Sequence, residues 1–173
     1  MSRSTDEAQS PVADALDRFV FAVSSVLIWA NALLIVAIIL QVVLRYGFSH
    51  GLVVLEEVQW HLYGMACMFG LAYAQAKDSH IRVDILHMAL STRAKKIVEI
   101  VGIFVFLFPF IWVVFDSSLD FLYDSWRINE RSDAPSGLPW RWAIKSVIPL
   151  SFGLLFIATL SRLIRDVAWL RRN

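Results

Sequence analysis

Four long apolar stretches constrain this chain more than any other feature: Phe19–Leu44, Leu52–Ala76, Ile97–Tyr123 and Ala143–Leu163. A bilayer's hydrocarbon is about 30 Å thick and takes about 20 helical residues to cross, so each stretch is long enough to span it. Backbone groups have no water to bond in lipid, and the spans are therefore helices. The rest of the 173 residues is too little to build a catalytic domain, and with 58% hydrophobic and 18% charged residues a soluble enzyme is excluded. The expected fold is an all-α integral membrane protein with four transmembrane helices. Residues 1–18 would be a polar arm, 19–165 the membrane domain and 166–173 a basic tail.

An even number of spans puts both termini on one side, and the positive-inside rule selects which. Arg3, Arg18, Lys77, Arg82, Arg93, Lys95, Lys96, Arg162, Arg165, Arg171 and Arg172 fall on the terminal side. Against them stand Arg45, Arg127, Arg131 and Arg141, with Lys145 one turn inside the fourth span. Both termini should be cytoplasmic. Phe19–Trp29 followed by Ala30-Asn31-Ala32 loosely fits a signal peptide, but the preceding segment is net negative and the apolar run continues to Leu44, so the first span is expected to be retained. Cys67 is the only cysteine, which excludes an intramolecular disulfide.

The loop Arg45–Gly51 is so brief that the first two spans must form an antiparallel hairpin. In the loop Lys77–Lys96, residues 80–90 fit either an interfacial helix or a strand. Beside Lys95 and Lys96, an amphipathic segment there would suit membrane lipid. Pro135, Gly137 and Pro139 forbid a continuous helix in the outer loop Asp124–Trp142, where Trp126, Trp140 and Trp142 sit at the level of an aromatic belt.

Charges within spans are costly and so informative. Arg45, Glu56, Glu57, Asp116, Asp120 and Lys145 all fall in the outer third and are expected to form a partly paired collar, with Glu99 standing apart near the inner end. Glu56 and Glu57 admit two readings: a proton or sodium site in a self-contained small antiporter, or structural partners of Arg45 or of another subunit's cation. The shallow depth favours the second. His50, His80 and His87 lie in loops and only His61 in a span, which does not suit bis-histidine haem. No metal-ligand spacing, phosphate-binding glycine loop or nucleophile motif is present, so no catalytic, cofactor or metal residue is assigned, and no nucleic-acid partner is expected. Ala66, Gly70 and Ala74 recur every four residues, a pattern that lets helix backbones approach closely, within the chain or against another subunit. The third span is rich in Phe, and Pro109 should kink it.

Glu56-Glu57, the run Ala76–Ile85, Ser125-Trp126, Glu130–Ser132, Gly137-Leu-Pro139, Lys145 and Ile148-Pro149 together resemble the small membrane subunit of tripartite ATP-independent periplasmic (TRAP) transporters. The order, spacing and four-span topology carry the resemblance jointly. It implies a non-catalytic scaffold in a bacterial inner membrane, bound to a large elevator-type permease subunit and docked by a periplasmic substrate-binding protein. Uptake of an organic acid would be driven by sodium, with the sodium and substrate sites on the large subunit. In that setting Arg45, Glu56, Glu57, Ala66, Gly70, Ala74 and Lys145 are the candidate subunit-interface residues. Arg127, Glu130 and Arg131 are the candidate contacts to the binding protein.

Overall fold

A computed structural model describes residues 11–77 and 91–172, apart from the side chains of 26–28. The segment 80–90, in which sequence leaves helix and strand open, lies outside the described residues. All regular structure among the described residues is helical: α1 (Pro11–Val42), α2 (Val53–Ala76), α3 (Thr92–Gly102), α4 (Phe108–Arg127), α5 (Arg141–Lys145) and α6 (Val147–Arg172). A π-turn, Val43–Gly47, ends α1, and a second, Ile103–Leu107, joins α3 to α4. Three helical rods among the described residues, Pro11–Gly47, Thr92–Arg127 and Arg141–Arg172, are long and apolar enough to cross a membrane. The expected second span, α2, has 24 residues, about 36 Å at the helical rise, but carries Glu56, Glu57, Gln59, His61 and Gln75 and is not among the helices apolar enough to cross.

Local chemistry sets the boundaries. Pro11 occupies the first position of α1, where its missing N–H costs nothing, so the helix starts eight residues ahead of Phe19, inside the expected polar arm. Ser91 caps α3, its hydroxyl accepting from the Ala94 N–H at 3.3 Å. Pro109 cannot donate to the carbonyl four residues back. The chain answers with the π-turn just before it, the Phe108 N–H reaching the Ile103 carbonyl. Pro149 acts the same way at Lys145, and the rod restarts at Val147 after a break at Ser146. Helix α6 then runs to Arg172, past the expected end of the fourth span at Leu163.

The core is built from Val20 of α1, Phe69 and Ala72 of α2, Ile111 of α4, and Val147, Phe152, Leu154, Leu155 and Ala158 of α6. Helix α6 is the axis, with α1 and α2 packed on it and on each other and α4 against another side. Half of the apolar window of the rod containing α6 is buried, against 11% for the rod containing α4. Phe106 and Trp112 of that outer rod are more than two-thirds exposed, as suits a surface meeting lipid or another chain. Packing in lipid gains little from hydrophobic transfer, so polar contacts at the two ends matter more to this bundle than they would in water.

Candidate functional site

At the end of the bundle where the Val43–Gly47 turn lies, α1 and α2 are stitched by side-chain amides and charges. Gln41 Nε2 donates to Glu56 Oε1 at 3.0 Å, Arg45 Nη1 reaches the same oxygen at 3.4 Å, and Gln59 Nε2 donates to the Ala37 carbonyl at 3.2 Å. Glu57, one residue on, points elsewhere. Its carboxylate accepts from the Ser132 hydroxyl and from the Leu138 N–H at 2.6 Å, both on the outer loop between α4 and α5.

That loop is closed upon itself. The Ser132 N–H bonds the Leu138 carbonyl at 3.2 Å, the Arg141 N–H bonds the Glu130 carbonyl at 3.0 Å, and Gly137 ends a tight turn on the Ala134 carbonyl at 2.9 Å. Gly137 is required by close approach: a Cβ there would lie 2.8 Å from Glu57 Oε1 and nearer still to Ser132. Trp140 enters α5 with φ of 61°, a left-handed conformation held by the turn on one side and the helix on the other. Beside the clamp lies a cavity of about 350 Å³ bordered by Glu57, Trp60, His61, Ser132, Leu138, Arg141 and Ile144.

Lys145 pairs with Glu130, and its ammonium sits 3.8 Å from the centre of the Phe121 ring. Arg141 lies 3.7 Å from Glu130 and 3.2 Å from Asp133. The single expected collar is thus divided into an Arg45–Glu56 stitch, a Glu57 loop clamp and a Glu130–Lys145 staple. Asp116 and Asp120 are exposed on α4 and make no ion pair among the described residues. Glu130 turns inward to Lys145, leaving Arg127 and Arg131 as the exposed charges of that trio. The Lys145 ammonium hydrogen-bonded to it holds Glu130 below the ordinary carboxylate range.

A folded-state pKa below the unfolded one means that the staple stabilises the loop at neutral pH, and that this contribution disappears as pH falls through the depressed value. Lys145→Gln is therefore expected to move acid loosening of the loop to higher pH. A dye on Ser136→Cys in a Cys67→Ala background reports it; an unchanged midpoint means that other contacts hold the loop.

The opposite end of the bundle, where the described chain begins and ends, carries a second network that the sequence reading missed. Lys96 meets Asp166 at 2.5 Å, and Arg162 reaches Glu99 at 3.1 Å and Asp166 at 3.8 Å. Arg165 pairs with Asp14 at 3.0 Å and with Asp17, while the Ser161 hydroxyl donates to the Ala13 carbonyl at 3.0 Å. Glu99 thus belongs to a cluster and does not stand apart. The spacing Arg162, Arg165, Asp166 was the available signal, since it puts three charges on adjoining helical positions.

On α2, Ala66 and Ala74 are partly buried, and a Cβ added at Gly70 would meet nothing within 4 Å. The small-residue face is therefore open at its centre rather than filled by a neighbouring helix of this chain.

Fold and site together define an integral membrane helical bundle pinned by polar contacts at its two ends. The chain matches the DctQ component of tripartite ATP-independent periplasmic transporters over residues 34–168, and it belongs to that family as a TRAP small permease subunit. It is 28% identical over 109 residues to a Haemophilus influenzae protein provisionally named a TRAP transporter small permease protein; the match covers 62% of this chain. It spans 65% of the length of that relative. No solved structure matches the chain.

Proposed function

We propose that this subunit is a non-catalytic scaffold. Four helices cross the bacterial inner membrane with both termini cytoplasmic, and they brace a large elevator-type permease subunit. A domain that carries substrate across a membrane must slide against something fixed, and additional helices widen that frame. Sodium-driven uptake of an organic acid, delivered by a periplasmic binding protein, would then use sites on the large subunit. The engagement of Glu56 and Glu57 carries the reading: one is bonded by Gln41 and Arg45 and the other by the outer loop, so both serve as structural anchors. A self-contained antiporter would need one of them released to bind and give up an ion.

The open face around Gly70 supports an intermolecular role for Ala66, Gly70 and Ala74. Arg127 and Arg131, exposed on the outer side, suit a transient, salt-sensitive contact to the binding protein. The test is copurification with the large subunit. Gly70→Leu should leave the melting temperature of the isolated chain unchanged while cutting recovery of the large subunit severalfold. The chain alone in liposomes should move no sodium or protons. Ion flux through the isolated chain, lost in Glu57→Gln, would establish the antiporter instead.

A further inference from the structure

Over its last turns α6 has two faces. One carries Ser161, Arg162, Arg165 and Asp166, which are engaged with α1 and α3. The other carries Leu163, Ile164, Val167 and Ala168 and ends in Arg171 and Arg172; these six residues border a hollow of about 450 Å³. Arg171 and Arg172 are exposed and make no ion pair among the described residues. From Leu163 to Ala168 the apolar stripe rises about 8 Å, and Arg171 and Arg172 lie about one helical turn beyond it. An apolar stripe continued by two cations repeats the order in which a lipid presents its acyl chain and its headgroup.

We propose that this face binds an anionic glycerophospholipid, its phosphate held by Arg171 and Arg172 and an acyl chain laid along Leu163, Ile164, Val167 and Ala168. Charge selects the lipid class. Two guanidinium groups can each pair with phosphate oxygens, and a headgroup with no compensating amine leaves the net negative charge that they neutralise. The apolar stripe selects a lipid over a soluble anion, because free phosphate would leave Leu163 to Ala168 uncovered. The site lies at the opposite end of the molecule from the Glu57 clamp and does not depend on the scaffold reading.

Native mass spectrometry of the full chain, released from micelles containing either phosphatidylglycerol or phosphatidylethanolamine, tests it. Each arginine at an anionic surface contributes about a factor of five, so the wild type should retain phosphatidylglycerol roughly 25-fold better than phosphatidylethanolamine. R171Q/R172Q should abolish that preference with the melting temperature unchanged. R93Q, removing an exposed cation at the start of α3, should keep it. Equal retention of the two lipids by the wild type, an R93Q loss as large as that of the double variant, or displacement of phosphatidylglycerol by inorganic phosphate would each overturn the proposal.

Discussion

Gly137→Ala is expected to detach the outer loop from α2 and destabilise the isolated subunit by about 1–3 kcal/mol, the usual cost of forcing extra volume into a packed site. The added methyl would lie 2.8 Å from Glu57 Oε1 and collide with Ser132. Neither neighbour can step aside cheaply. Ser132 is fixed by its own N–H bond to the Leu138 carbonyl, and Glu57 by the Leu138 N–H and the Ser132 hydroxyl. Relief must come from opening the turn, which removes the carboxylate's donors and leaves its charge less well solvated. Gly153→Ala is the matched control. There the nearest atom to an added Cβ is on Phe115 at 3.9 Å, ordinary van der Waals contact, so the change should be neutral or mildly stabilising through helix propensity. Denaturation of both variants in the same detergent gives the comparison; equal stabilities would mean that the loop does not depend on the Glu57 clamp.

The bundle was legible because lipid simplifies the problem. Long apolar runs can satisfy their backbone only as helices, so the first, third and fourth spans follow from hydropathy, and the short Arg45–Gly51 loop compels the α1–α2 hairpin. Helix ends were less legible. Sequence placed polar residues such as Asp14, Asp17, Arg165 and Asp166 beyond the expected spans, yet they form ion pairs that extend α1 and α6 past their apolar segments. Pairing across the chain was not readable at all. Position along the sequence sets the depth of Lys145, Glu56 and Glu57, but the direction each side chain takes depends on helix rotation and loop path. Lys145 accordingly turns to Glu130, and Glu57 to a serine and a backbone N–H on the far side of the loop. Gly137-Leu-Pro139 stood out in sequence without a role, and the close approach at Gly137 supplies one.

Asp166→Ala is expected to cost about 3 kcal/mol, the lower end of the range for removing one member of a buried ion pair. Asp166 is 2% exposed, and Lys96 and Arg162 converge on it from α3 and from one turn back on α6. Deleting the acid leaves two cations, about one-quarter and one-sixth exposed, facing each other across the joint between helices. Partial access to water keeps the penalty at the low end. Glu99 remains near both cations, so the loss should loosen the α3–α6 contact and leave the outer end intact. The double change Lys96→Met with Asp166→Leu separates charge from packing. A buried pair replaced as a unit by apolar side chains is often neutral or stabilising, so the double variant should recover most of the lost stability. If it melts as low as Asp166→Ala, the residue acts through shape and not as the counter-ion of Lys96. Hydrogen exchange should distinguish the ends: faster exchange in α3 and the last turns of α6, with the loop around Leu138 unchanged, is the pattern of two independent polar staples. Faster exchange at Leu138 as well would mean that the two ends are coupled through α6.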